Sequence, residues 1–199
     1  MEHFFYCRDE PGNEALLEEF AEAHWSFMDR YADVMIARGP TTDPAGETHT
    51  GSMHMVDLPN ADAANVFAFE EPYYRAGVYA EVLKRRWRNV LGRTMWDVAQ
   101  AENLRRFLII GHGTAGIQRV RHELVAQRRL YLRDGGYVDR CIERGPLLSD
   151  DGARWMGSAM LVELSDQAAV DAMLAQDPYV LEGLYARVEV YPWQFGGRP

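Results

Sequence analysis

The chain has 199 residues, 47% of them hydrophobic, and a formal net charge of −9; that is enough apolar material for one large or two small cores, and it excludes a disordered chain. The acidic excess lies in the first half, where residues 1–98 carry 9 basic and 17 acidic side chains against 12 and 13 in residues 99–199. Such a balance repels phosphate backbones and anionic lipid, so neither nucleic acid nor a membrane is an expected partner.

Taken in chain order, the N-terminus MEHFFYCRDE lacks a basic region leading into an apolar core, and no apolar run approaches ~18 residues, so a soluble cytoplasmic protein is expected. His3 to Arg8 reads as a strand. Leu17, Phe20, His24, Phe27, Met28 and Tyr31 then recur at spacings of three and four, which predicts an amphipathic helix with His24 on its buried stripe. A strand is expected to end at Arg38-Gly39-Pro40, because proline cannot donate to a continuing ladder. After a turn-rich loop come a strand from Met53 to Leu58 and an alanine-rich helix. The helix is stopped by Glu71-Pro72, since the residue before proline is biased away from helix. A last strand runs from Tyr79 to Arg88, and its basic run Lys84, Arg85, Arg86 and Arg88 around Trp87 reads as a solvated edge.

The second half repeats the first. Arg38-Gly39-Pro40 recurs as Arg144-Gly145-Pro146, Gly51-Ser52 as Gly157-Ser158, Glu71-Pro72-Tyr73 as Asp177-Pro178-Tyr179, and Gly77-Val78-Tyr79 as Gly183-Leu184-Tyr185, always at an offset of 106. Its strands are Arg106 to Gly111, Ala159 to Leu164 and Tyr185 to Trp193, besides the one ending in Arg-Gly-Pro. The order β-α-β-β-α-β, twice, is an α+β, ferredoxin-like pattern. We expect one copy over residues 1–96, a linker over 97–104 and a second copy over 105–199, packed together because a lone sheet of this kind leaves an apolar face bare. The expectation leaves room for a homodimer of chains.

The elements H…GP…GS…(D/E)PY…G(V/L)Y, in this order and in both copies, resemble the YCII-related family. The resemblance implies a dimeric α/β barrel of ferredoxin-like units, here within one chain, with a cleft holding a histidine and the acid of the acid-Pro-Tyr motif. It also implies, by analogy with a dehydrochlorinase of a chlorinated hydroxyhydroquinone, that small oxygenated aromatics are a plausible substrate class.

The histidine of that pattern falls on His24 and the acid on Glu71, which are the candidate catalytic residues. On helical phase alone His24 reads first as a core histidine with one partner, and it is the resemblance that turns the reading to a general base; Glu71 reads as an N-cap before proline or as the group that orients the histidine. Arg38, Ser52, His54, Tyr73, Arg128 and Asp177 complete the set as candidate substrate-binding residues: Arg38 as a clamp for a carboxylate or phenolate or as half of a structural ion pair, Tyr73 as a phenol donor or a half-buried tyrosine under the sheet, and Ser52 as a turn residue or pocket wall. In the second copy the helical stripe puts Arg128 where His24 sits, leaving Arg128 to bind an anion or to serve structure, while His122 points to solvent. The first helices differ in charge, with Glu14, Glu18, Glu19 and Glu22 in one and Arg119, Arg121, Arg128, Arg129 and Arg133 in the other, a contrast that could set the register in which copies or chains pair.

His49, His54 and His3 match no common zinc spacing, and Gly111-His112-Gly113 lacks the continuation of a dinucleotide loop; no metal or cofactor is expected. Cys7 and Cys141 occupy non-equivalent places, which excludes a disulfide framework. The leading functional expectation is a cofactor-independent lyase or isomerase, dehydrochlorinase-like, acting on a small aromatic or enolisable metabolite. The alternative is a non-catalytic small-molecule binding or interaction module.

Overall fold

Strand β1 (Glu2–Asp9) is apolar on both faces, and both faces are covered: Phe4 and Tyr6 point into one core, Phe5 and Cys7 into others. A two-sided strand of this kind needs a layer above and a layer below. A computed structural model, describing residues 1–99 and 101–197, supplies them. The first copy continues as α1 (Glu14–Asp29), β2 (Met35–Thr42), β3 (His49–Asp57), α2 (Ala61–Phe69), α3 (Pro72–Arg75) and β4 (Tyr79–Trp87). The second repeats it as β5 (Arg105–Gly113), α4 (Gln118–Asp134), β6 (Cys141–Leu148), β7 (Trp155–Leu164), α5 (Gln167–Gln176), α6 (Pro178–Leu181) and β8 (Tyr185–Pro192).

Local chemistry marks the helix starts. Asn60 accepts from the Ala63 amide at 2.8 Å to open α2, and Asp166 accepts from the Ala169 amide at 2.8 Å to open α5. The short helices α3 and α6 each begin with proline at the first position, behind an acid that caps them.

The eight strands form one antiparallel sheet in the order β2-β3-β1-β4-β6-β7-β5-β8, with helices on the outer face. Strand β4 pairs with β6 at Arg86↔Leu148 and Trp87↔Leu147, and a bridge from Thr41 to Trp193 joins the far ends. The sheet thereby curls into the α/β barrel of two ferredoxin-like units. Its interior is a core to which both copies contribute, including Phe4, Met53, Met55 and Trp87 from one and Leu108, Ile110, Leu161 and Trp193 from the other. Each copy has its own second core under its helices.

Two local expectations are corrected by this closure. Strand β4 is not a solvated edge: its basic run lies at the seam with β6, and Trp87 is 3% exposed inside the barrel. Nor do the strands end at Arg-Gly-Pro, since β2 runs on to Thr42 and β6 to Leu148. The carbonyls of Arg38 and Pro40 both accept from the crossing tail, from Gly196 N at 3.0 Å and Gln194 N at 3.1 Å. The missing N–H of Pro40 therefore lies on that outer side and costs no bond to β3. The glycine is explained by the same crossing: a Cβ on Gly39 would lie 1.9 Å from the Gln194 carbonyl oxygen, and one on Gly145 would lie 1.9 Å from that of Arg88. The repeated motif is the place where each copy accepts the end of the other.

Among the described residues, no helix is long and apolar enough to cross a membrane, and no group of three or more His, Cys, Asp or Glu side chains is placed to hold a metal ion.

Candidate functional site

The acid-Pro-Tyr segment first serves the backbone. Glu71 caps α3 with both carboxylate oxygens, Oε1 accepting from the Tyr73 amide at 3.0 Å and Oε2 from the Tyr74 amide at 2.9 Å. Glutamate does here what aspartate usually does, and its extra methylene lets Oε1 also reach His24 Nδ1 at 2.5 Å. The cap and the contact with the histidine, alternatives on the sequence, are made by one carboxylate. The pair is buried, with side-chain exposures of 11% for His24 and 4% for Glu71. A carboxylate at Nδ1 fixes the proton there and leaves Nε2 as the basic nitrogen; among the described residues Nε2 has no hydrogen-bond partner.

The imidazole is stacked on Tyr73 at 4.2 Å and 9°. The Tyr73 hydroxyl donates to the Leu17 carbonyl at 3.0 Å, and burial, then Glu71 and Asp9, push its pKa up to about 12. Tyr73 thus lies as a platform beneath His24, with its hydroxyl turned to the backbone of α1.

His24 opens on a cavity of about 480 Å³ between α1 and the sheet, a volume suited to a small organic molecule. Alternate residues of β3 face it, Ser52 and His54, while Met53 and Met55 face the barrel interior. His54 is 3% exposed, its Nδ1 has no hydrogen-bond partner among the described residues, and burial, followed by the charges of His24 and Arg38, holds its pKa well below the ordinary histidine value. Arg38 lines the cavity from β2, with Nη1 3.8 Å from Asp29 and a buried Nε that has no hydrogen-bond partner among the described residues.

Two features of the cavity were missed by sequence reasoning. His49, considered only as a metal ligand, lines it and pairs through Nδ1 with Asp9 at 2.5 Å, a second histidine-carboxylate pair. The antiparallel β1–β3 ladder, which brings the end of β1 to the start of β3, is the signal that could have found it. The tail of the second copy, Phe195 to Gly197, closes one wall, and no spacing in the sequence announces that.

In the second copy the same construction carries other groups. His24 and Arg128 are each the eleventh residue of their helix, and Arg128 takes the place of His24 against Asp177: Nη2 to Oδ2 is 2.9 Å, and Nε lies 3.1 and 3.0 Å from the two oxygens. Asp177 caps α6 through the Tyr179 amide at 2.9 Å. The pocket there measures about 80 Å³. His122 is exposed on the outer face of α4. Of the arginines of α4, Arg128 pairs with Asp177 and Arg133 with Asp134, both within their own copy.

No curated protein sequence matches the chain significantly. Among solved structures, it is similar to a mutant chlorite dismutase from Candidatus Nitrospira defluvii, with TM-score 0.61 and 8% identity over 97% of this chain and 90% of that one. A heme-binding protein from Thermus thermophilus superposes with TM-score 0.55 and 9% identity over 96% and 90%. At such identities the likeness establishes the fold alone. A 5-chloro-2-hydroxyhydroquinone dehydrochlorinase from Burkholderia phenoliruptrix AC1100 is 23% identical over 47% of this chain and 99% of that one, with TM-score 0.43. The YCII-related domain matches residues 1–88 and again residues 105–194, nearly the whole length and both structural repeats, and the chain therefore belongs to the YCII-related family as a tandem two-copy member.

Proposed function

We propose that the first copy is a cofactor-independent acid–base catalyst, a lyase or isomerase of a small aromatic or enolisable metabolite, and that the second copy has no such activity. The observation that carries this reading is the His24–Glu71 pair, 2.5 Å apart and buried at the wall of a cavity of about 480 Å³. In the proposed reaction His24 Nε2 removes a proton from a carbon next to a carbonyl, or from a phenol. The electron pair moves onto the substrate oxygen, and Arg38 stabilises the oxyanion. Glu71 keeps Nδ1 protonated and stabilises the imidazolium that forms. The same proton is then returned at another position, giving an isomer, or the electron pair returns and expels a leaving group as its anion, giving a lyase product. In the lyase branch the proton taken by His24 passes to solvent; where the leaving group departs as a neutral acid instead of an anion, His49, backed by Asp9, is the group that protonates it.

The test is a screen of hydroxylated aromatics and enolisable carbonyl compounds in D2O, without added metal or cofactor, for deuterium incorporation or release of a leaving anion. Exchange or turnover that falls about 100-fold or more in His24→Ala is the expected result, the usual worth of a general base. Equal exchange by the wild type and His24→Ala would remove the proposal.

A further inference from the structure

The second pocket invites a separate reading, because its wall is arginine where the first pocket's is not. At matching helix positions Leu17, His24 and Trp25 of α1 become Arg121, Arg128 and Arg129 of α4, while Arg38 of β2 is retained as Arg144 of β6. The crossing chain end adds Arg88, the counterpart of Gln194. All five guanidinium-bearing residues line a space of only about 80 Å³.

One carboxylate serves them. Asp177 is committed to Arg128, and among the described residues Arg88, Arg121, Arg129 and Arg144 form no ion pair. Among the described residues the Nε atoms of Arg121 and Arg144 are buried without a hydrogen-bond partner, and the guanidinium of Arg121 lies 5.8 Å from the Trp155 ring. Burial, and beyond it the charges of Arg128 and Arg129, pull Arg144 down from the ordinary arginine value. So dense a positive cluster within a chain of net charge −9 is not explained by packing, since mutual repulsion and unsatisfied donors both oppose it.

We infer that the second pocket is a binding site for the phosphate group of a small metabolite. Guanidinium forks match phosphate oxygens in pairs, and the pocket's volume suits one tetrahedral oxyanion and excludes a ring. An open groove of about 680 Å³ shares Arg88, Arg121 and Arg129 with the pocket and adds Arg133, giving the rest of such a ligand a place to lie. The inference is independent of the acid–base reading of the first copy, because the two sites share no residue.

Calorimetric titration of the whole chain with inorganic phosphate and with pyrophosphate, at constant ionic strength set with sodium chloride, tests it. Saturable binding of one anion per chain is expected, with pyrophosphate the tighter, weakened about tenfold or more by Arg129→Gln and by Arg144→Gln and unchanged by Arg75→Gln on the first copy's surface. Arg129 is exposed, so its substitution leaves folding intact even if that of Arg144 does not. Absence of saturation, or equal weakening by Arg75→Gln, overturns the inference. Self-association that Arg129→Gln abolishes, without phosphate binding, would give the groove to a second copy of the chain. Saturable binding of a single-stranded oligonucleotide by a protein that ignores phosphate would give it to a nucleic acid, and either result overturns the proposal.

Discussion

The two copies keep one acid in one place and give it different partners. Glu71 caps α3 and holds His24 at 2.5 Å; Asp177 caps α6 and holds Arg128 at 2.9 Å. The capping duty is structural and is met in both. The chemistry is decided by the helix residue that meets the acid, because an imidazole exchanges a proton near neutrality whereas a guanidinium stays charged throughout. A longer acid accompanies the histidine and a shorter one the longer arginine, so the helix-to-cap distance is spanned in each case. The pockets follow suit: about 480 Å³ with three histidines in the first, about 80 Å³ walled by arginines in the second. Duplication has preserved the barrel and let the two cavities diverge in charge.

The largest stability effect should come from breaking the second pair. Arg128→Ala leaves the carboxylate of Asp177, whose side chain is 1% exposed, with only its capping bonds, and should cost about 3–5 kcal/mol in urea unfolding. A loss no greater than that of a surface arginine would mean that Asp177 needs no counter-charge.

A further difference between the copies lies inside the barrel, where Ala37 of β2 is matched by Glu143 of β6. Glu143 is fully buried, among the described residues neither carboxylate oxygen has a hydrogen-bond partner of good geometry, and burial, opposed by the charge of Arg93 and the nearby Arg144 backbone, pushes its pKa up to about 8. Its folded pKa lies above the unfolded one. The folded chain therefore binds the extra proton between about pH 4.5 and 8, and stability is lost as pH rises through that window. Glu143→Gln should stabilise the protein at pH 8 by an amount on the order of 1–3 kcal/mol and change little at pH 4. A Tm that shifts equally at both pH values would contradict this.

In the first copy His54 occupies the place of Met160. Its depressed pKa has the opposite sign: the unfolded chain takes up the proton first, so stability is lost as pH falls below the ordinary histidine value of 6.5, at no more than about 1.4 kcal/mol per pH unit. His54→Met should flatten Tm between pH 7 and 5, and an unchanged slope would show that another group titrates there. The smallest effect should be that of His122→Ala, exposed on α4, within about 0.5 kcal/mol in stability and without effect on turnover.

Much of this was legible in the sequence because a duplication writes its register twice. The 106-residue offset gave the two units, and helical phase put His24 on the buried stripe and Arg128 at the matching place in the second copy. What escaped depends on contacts distant in the chain. The seam at Gly39 and Gly145, the buried Trp87, the Asp9–His49 pair and the Phe195 wall all follow from which strand lies beside which, and residue spacing along one strand does not encode that. The cluster of Arg121, Arg129 and Arg144 was visible only as a charge bias of one helix, since Arg144 reaches it from β6 and Arg88 from the segment just beyond β4.

The most direct measurement compares one substitution in each copy. With a substrate found by the D2O screen, kcat/KM is measured for wild type, His24→Ala and Arg128→Gln, at a temperature where circular dichroism shows all three folded. A loss of about 100-fold or more is expected for His24→Ala and one of less than about threefold for Arg128→Gln. Equal losses, or a loss confined to Arg128→Gln, would contradict the assignment of the acid–base chemistry to the first copy.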